Sequence, residues 1–366
     1  MNVLKKIGVS IYPSKSNIEE DKEYLKLVSS LGYKRVFTSL LEIDGDRDEV
    51  VEKYRDIIEY GNSLGLETTL DINPRLFDQL GVSYENLQFF SDMGAHSIRL
   101  DLGFSGAEEA MMTKNEHDLV IEVNMSSGTK YIDNVMSYQP KRENLIASHN
   151  FYPMKYAGLS REHFEKTTAQ FNAYNLNTSA FITSQVGEVG PWPVQTGLCS
   201  LEEHRYLPLD LQVTHYRMLG TIDDLIIGNA YASETELRKA AEAFFSPHPL
   251  IPVKLADNIS ELEKKIILDE LHVYRGDRSA YLLRSTQTRV KYRDEDFPVH
   301  TTGPLDKGAV VLGNNTFGQY KGETQVILQE IEDDGARNVV GKLANGSVEF
   351  INDLEPWSSF KFVEVD

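Results

Sequence analysis

The chain has 366 residues, 41% of them hydrophobic and 25% charged, with 25 Gly and 13 Pro, which excludes collagen-like, low-complexity and wholly disordered chains. Its 37 basic and 56 acidic residues give a formal net charge of -19, the wrong sign for a nucleic-acid surface. A local cluster of arginines or backbone N–H groups can still hold one small anion.

The opening MNVLKKIGVSIYPSKS carries an apolar run broken by Gly8, Ser10, Tyr12 and Pro13, so neither a signal peptide nor a membrane span is expected. Cys199 is the single cysteine, which leaves no internal disulfide and no Cys-based zinc site, and makes a reducing, cytoplasmic setting the expectation.

Up to about residue 245 the chain repeats a short β-rich run, a polar loop and a helical pattern. The predicted strands are 6–12, 35–42, 67–73, 97–104, 118–126, 144–151, 178–184 and 224–229. Helices are expected over 18–32, where Leu25, Val28 and Leu31 recur at helical spacing before Gly32, and over 48–65, with Val51, Tyr54 and Ile58 before Gly65. Eight such strands with helical crossovers predict an α/β fold, a (β/α)8 barrel over residues 1–245. From Ile251 the texture changes. The runs ELHVYRG, SAYLLRST, GAVVLGN, ETQVILQEI, NVVGKL, SVEFI and FKFVEV, with turns at Gly313-Asn314-Asn315 and Asn345-Gly346, predict an all-β barrel domain over 251–366.

Side chains alternate along a barrel strand, one parity facing the helices and the other the interior. Ile7, Val9 and Ile11 go outward, leaving Ser10 and Tyr12 inward. Leu70 and Ile72 go outward, leaving Thr69, Asp71 and Asn73 inward. Ile98, Leu100 and Leu102 leave Arg99, Asp101 and Gly103 inward; Leu119, Ile121 and Val123 leave Glu122, Asn124 and Ser126 inward. Three carboxylates and an arginine near a core are costly unless paired or used, and this fold places its chemistry at the C-terminal strand ends. Asp101 and Glu122, on consecutive strands, come within the separation used in glycoside hydrolysis. Asp71 is a third candidate, and the sequence does not rank the three. The plainer reading is that Arg99 only neutralises them.

Other features are less specific. The Gly-rich SQVGEVGPWP (184–193) and the end of strand eight occupy the usual phosphate position of this fold. His149, Asn150 and Tyr152 end strand six and suit recognition of hydroxyls or amides. Arg284 and Arg289, with hydroxyls between them, form a plausible phosphate clamp. The dinucleotide, P-loop, nucleophile-elbow and HExxH motifs are all missing, so no cofactor is expected and nothing requires a metal.

Taken together, IGVSIYPS, LDIN, IRLDLGF, IEVNMS, HNFYP, RSTQTR and FGQYKGE resemble the bacterial 6-phospho-N-acetylmuramidase family over essentially the whole chain. The resemblance implies a TIM barrel followed by a cyclophilin-like β-barrel. It implies a cytoplasmic glycoside hydrolase that cleaves the β-1,4 bond between N-acetylmuramic acid 6-phosphate and N-acetylglucosamine in peptidoglycan turnover. The expected partner is that phosphorylated amino-sugar disaccharide, with no nucleic acid and no membrane. Asp71, Asp101 and Glu122 are the expected catalytic carboxyls. Tyr12, Asn73, Asn124, Ser126 and Asn150 are expected to contact substrate, and Arg284 and Arg289 its phosphate. A non-catalytic phosphosugar sensor is the rival reading. An aldolase would need a Schiff-base lysine inside a strand, and the inward faces hold none.

Overall fold

A computed structural model describes residues 5–40, 47–73, 76–77, 80–193, 196–344 and 346–365. The chain forms two compact units, Met1–Val213 with Gly220–Phe244, and Thr214–Leu219 with Phe245–Asp366.

The first unit is a closed parallel barrel in chain order. Its strands are β1 (Lys6–Ser10), β2 (Arg35–Ser39), β3 (Glu67–Ile72), β4 (Ser97–Leu100), β5 (Val120–Asn124), β6 (Leu145–Ser148), β7 (Asn177–Ile182) and β8 (Asp224–Ile227). All eight predicted strands are present, most of them shorter at the C-terminal end. The β2 expectation ran on to Leu41 and Glu42, which lie outside the described residues. The outward set predicted for β1, β3, β4 and β5 is buried at Ile7, Val9, Leu70, Ile72, Ile98, Leu100, Ile121 and Val123. Leu102 is the exception. β4 stops at Leu100, so Leu102 stands 62% exposed on the following loop instead of packing against a helix.

The expected helices form at Ile18–Ser30 and Arg47–Ser63. Asn17 caps the first by accepting the Glu19 N–H at 2.8 Å, and Glu19, Glu20 and Asp21 suit its positive N-terminal end. The turn that leaves it uses Gly32 at φ 89°, a left-handed conformation open to glycine without a Cβ penalty. Among the described residues no helix is long and apolar enough to cross a membrane.

The second unit holds β9 (Leu250–Leu255), β10 (His272–Val273), β11 (Leu282–Ser285), β12 (Ala309–Gly313), β13 (Thr324–Ile327), β14 (Arg337–Leu343) and β15 (Ser359–Glu364). They form a seven-stranded sheet in the order β10-β15-β9-β14-β12-β13-β11. A bridge between Tyr274 and Ser285 joins its two edges, so the mixed sheet curls into a nearly closed barrel. Two details differ from the sequence reading. Leu250–Leu255, absent from the predicted β-runs, is a central strand; the Pro252 carbonyl accepts the Ala344 N–H at 3.0 Å. SVEFI, read as a strand, is instead the helix Ser347–Phe350, with Ser347 and Phe350 buried one turn apart. So short an apolar run fits either period. Asn345, predicted in the preceding turn, lies outside the described residues.

Candidate active site

The barrel interior carries two tiers of charge. The lower tier starts at Arg35, the first residue of β2. Its guanidinium donates to Glu122 at 2.5 Å, Asp224 at 3.2 Å and Thr69 at 3.1 Å. Glu122 points inward as its parity requires, but it is 0% exposed, and its carboxylate is held by this arginine inside the barrel. Gly8 lies beside Arg35 across the β1–β2 pairing. A Cβ there would come within 2.6 Å of Arg35, so the close approach requires glycine.

The upper tier is built on Arg99. Its Nη1 donates to Asp71 at 2.6 Å and lies 3.5 Å from Asp101, Nε donates to Ser148 at 2.7 Å, and Nη2 donates to the Asn150 side-chain oxygen. Asp71 and Arg99 are paired directly in the β3–β4 register. Asp101 stands one residue past the end of β4, and its side chain is 36% exposed. Burial pushes the Asp71 carboxyl up to about 7 against the pull of Arg99, and the neighbouring Asp101 and Glu122 push the same way. At neutral pH Asp71 is therefore divided between its protonated and ionised forms, while its guanidinium partner stays charged.

A relay of hydrogen bonds sets this tier in place. Asn150 donates its backbone N–H to the Ser126 hydroxyl at 2.8 Å, and that hydroxyl lies 3.2 Å from His149 Nδ1. His149 Nε2 lies 2.8 Å from Thr168 Oγ1, whose own proton goes to the Phe164 carbonyl at 2.7 Å. These partners assign the proton to Nε2 and leave Nδ1 to accept from Ser126. Burial pushes the imidazole down to about 3, so it stays neutral and stacks on Phe164 at 4.2 Å. Asn124 donates to the Asp101 carbonyl at 3.2 Å and accepts the Ser126 N–H at 2.9 Å, which ties down the loop bearing Asp101. Asn73 accepts the Leu76 N–H at 3.1 Å in the turn after β3.

Above these residues lie two cavities that share Trp192. One, about 80 Å³, is lined by Asp71, Arg99, Asp101, Asn150, Phe151 and Trp192. The other, about 300 Å³, is lined by Tyr12, Ser14, Lys15, Ser39, Lys53, Tyr54 and Trp192, among others. Tyr12 packs with Phe37, Phe181 and Ile226 and donates its hydroxyl to the Gly228 carbonyl at 2.5 Å, forming part of that floor.

The structure thus brings Asp71, Asp101 and Asn150 together around Arg99, with Asn124 and Ser126 bracing them. It places Glu122 with Arg35 instead. Arg284 and Arg289 lie in the second unit, clasping Glu323. Trp192 and Arg35 were not singled out from the sequence. Trp192 sits in a Gly- and Pro-rich loop with no periodic signal. Arg35 carried no clean signal, because RVFTS sets Val36 beside Phe37 and Thr38 beside Ser39 and so does not alternate as its neighbours do.

The phosphate seat expected after β7 and β8 is filled from within. The Glu236 carboxylate accepts from the N–H groups of Gln185 (2.8 Å) and Ser233 (3.1 Å) and from the Ser184 hydroxyl (2.7 Å). Ser184 Oγ in turn accepts the N–H groups of Val186 and Gly187 at 3.1 and 2.9 Å. A protein carboxylate already occupies the anion position at the start of the helix Glu234–Phe245.

Residues 7–242 match the family model described as 6-phospho-N-acetylmuramidase, N-terminal, and residues 249–363 match the corresponding C-terminal model. A crystal structure of an uncharacterized B. cereus protein is 41% identical, covering 99% of this chain and 100% of that one with a TM-score of 0.91. A conserved Enterococcus faecalis protein of unknown function is 21% identical over 98% of this chain and 96% of its own, with a TM-score of 0.75, a likeness of fold. No curated protein matches the chain. The chain belongs to the 6-phospho-N-acetylmuramidase family and is a glycosidase whose family name implies a phosphorylated sugar substrate.

Proposed function

We propose that this member of the family hydrolyses the β-1,4 bond between N-acetylmuramic acid 6-phosphate and N-acetylglucosamine, with Asp71 and Asp101 as the working carboxyl pair. The observation that carries the assignment is their shared contact with Arg99. Nη1 lies 2.6 Å from an Asp71 oxygen and 3.5 Å from an Asp101 oxygen. Those oxygens are therefore no more than about 6 Å apart, closer to the roughly 5–5.5 Å of retaining glycosidases than to the roughly 6.5–9.5 Å of inverting ones.

The two environments divide the roles. Asp71, raised to about 7 so that a sizeable protonated fraction persists at neutral pH, is suited to protonating the leaving glycosidic oxygen. Asp101, at the opening and partly solvated, is suited to facing the anomeric carbon or to polarising the substrate's own 2-acetamido group for attack on that carbon. Both routes retain configuration. Arg99 contacts both acids, and the larger of the two cavities that Trp192 lines, about 300 Å³, offers room for a sugar ring. Glu122 supports Arg35 beneath them, and Tyr12, Asn73, Asn124, Ser126 and Asn150 line or brace the cleft. A 6-phosphorylated amino sugar arises in the cytoplasm by phosphorylating import, which is where we place the reaction, in peptidoglycan turnover.

The test is the anomeric configuration of the first-formed product. Proton NMR of fresh hydrolysate from the phosphorylated disaccharide is expected to show the β-anomer before mutarotation, and Asp101→Asn is expected to lose at least a hundredfold in kcat. An α-anomer product, or near-full turnover by Asp101→Asn, removes the pair from this role.

A further inference from the structure

The two cavities at the barrel mouth are not equivalent, and strand order gives them separate places. Round the barrel, Tyr12 stands after β1, Ser39 ends β2, Asp71 lies on β3 and Asp101 follows β4. Ser39 and Asp71 are direct partners in the β2–β3 register. Tyr12 and Ser39 line the cavity of about 300 Å³, whereas Asp71 and Asp101 line the one of about 80 Å³. Asp71 therefore stands between the larger cavity and Asp101. An acid that protonates a leaving oxygen has the leaving group on its own side, with the anomeric carbon toward the second carboxylate.

The walls of the larger cavity carry the two-sided chemistry of a sugar ring. Trp192 and Pro191 supply apolar surface, on which the C–H face of a pyranose packs. Ser14, Ser39, Lys15 and Lys53 supply hydroxyl and ammonium groups for its hydroxyl edge. The Lys53 ammonium is held in place by donating to the Ser16 carbonyl at 3.1 Å and to the Pro13 carbonyl. Tyr54 donates to the Ser39 carbonyl at 2.8 Å, which fixes its phenol.

Trp192 is carried on a stiff stem. Val189 and Ala230 exchange backbone hydrogen bonds at 2.6 and 2.8 Å, pairing the loop with the chain that leaves β8. Asn229 accepts the Ser184 N–H at 2.8 Å and donates to the Ser184 and Gly187 carbonyls at 2.9 and 2.7 Å. Pro191, with φ fixed by its ring, leads directly into Trp192. The indole is 37% exposed and borders both cavities. An aromatic ring held this way stacks on a ligand at little entropy cost.

We propose that the larger cavity is the leaving-group subsite, that it takes a hexopyranose, and that Trp192 stacks on the ring seated there. The direction of the subsite rests on the Asp71–Asp101 pair proposed above. The chain has two tryptophans, Trp192 and Trp357. Trp357 lies in the second unit and is 73% exposed, so Trp357→Phe leaves Trp192 as the sole indole reporter. Titrating that variant with N-acetylglucosamine is expected to give a saturable blue shift of emission, and glycerol none. Lys15→Ala in the same background is expected to weaken the sugar severalfold. In kinetics, Trp192→Ala is expected to lose at least tenfold in kcat/KM on the phosphorylated disaccharide, and Trp192→Phe to recover most of it. On the glycosyl fluoride of the same phosphosugar, which brings no leaving ring, the loss should be far smaller. Equal losses on disaccharide and fluoride put Trp192 against the other ring and overturn the proposal. Emission that N-acetylglucosamine leaves unmoved at high millimolar concentration overturns it as well. A saturable blue shift without hydrolysis of either substrate counts against the reaction proposed above and leaves the sugar seat on Trp192 standing.

Discussion

Arg35 at the foot of β2 and Glu122 in the middle of β5 meet at 2.5 Å inside the barrel, across three strand boundaries, with Glu122 wholly removed from solvent. The contact gives Glu122 a supporting role under the Arg99 tier. Breaking a buried ion pair costs about 3–5 kcal/mol, because the remaining charge loses its partner in a low-dielectric site. Glu122→Ala is therefore expected to lose that much stability in urea unfolding. Glu122→Gln, which keeps hydrogen-bonding capacity, is expected to melt lower but to keep much of its kcat at a temperature where it is folded. A Glu122→Gln protein of parental stability with abolished turnover would return Glu122 to the chemistry.

Gly8 provides an independent check on that tier. Its missing Cβ leaves the space the Arg35 side chain and carbonyl occupy, at 2.6 Å from where the added carbon would lie. Both colliding groups are held by strand pairing, so neither yields cheaply. Gly8→Ala is expected to cost about 1–3 kcal/mol, the usual range for overpacking, measured by chemical denaturation. Parental stability in this variant would show that Arg35 has more freedom than its contacts imply.

Acid sensitivity follows from His149. Its imidazole is held near 3 by burial, against about 6.5 in an unfolded chain, so the unfolded state binds more protons between those limits. Its stabilising contribution is full above about pH 6.5 and is lost as pH falls through about 3. Asp71 acts in the opposite sense. Its raised folded value gives stability that is full below its unfolded value of 3.8 and lost as pH rises through about 7. Unfolding free energies at pH 4.5 and 6.5 are expected to show a shallower acid loss in His149→Asn than in the parent, by at most about 1.4 kcal/mol per pH unit. The same comparison with Asp71→Asn is expected to shift in the other direction. Identical slopes in all three proteins would contradict the assigned protonation states.

Much of this was legible in the sequence, and the limits have a physical cause. Two-residue alternation correctly sends Asp71, Arg99 and Glu122 inward, because one face of each strand must meet the helices. It carries no information on height along the barrel axis. Strand stagger sets that height, and it separates Glu122 in its Arg35 pair from Asp101 at the opening, although they sit on neighbouring stretches of chain. Leu102 shows the related limit: alternation persists in the letters after the strand has ended. The loop bearing Trp192 has no period to read. Glu236 was missed as the occupant of the anion seat because a capping carboxylate and a binding loop share the same Gly- and Ser-rich signature.

The central claim is that Asp71 carries the catalytic proton, and the pH–rate profile of Asp71→Asn tests it most directly. For the parent, kcat/KM on the phosphorylated disaccharide is expected to fall above about pH 7 as Asp71 ionises. Asp71→Asn should lose roughly 10²–10⁴-fold and the alkaline limb with it. On a 6-phosphosugar with a nitrophenolate leaving group, which needs little protonation, the loss should be far smaller. An unchanged alkaline limb in Asp71→Asn, or equal losses on the two substrates, would contradict the assignment.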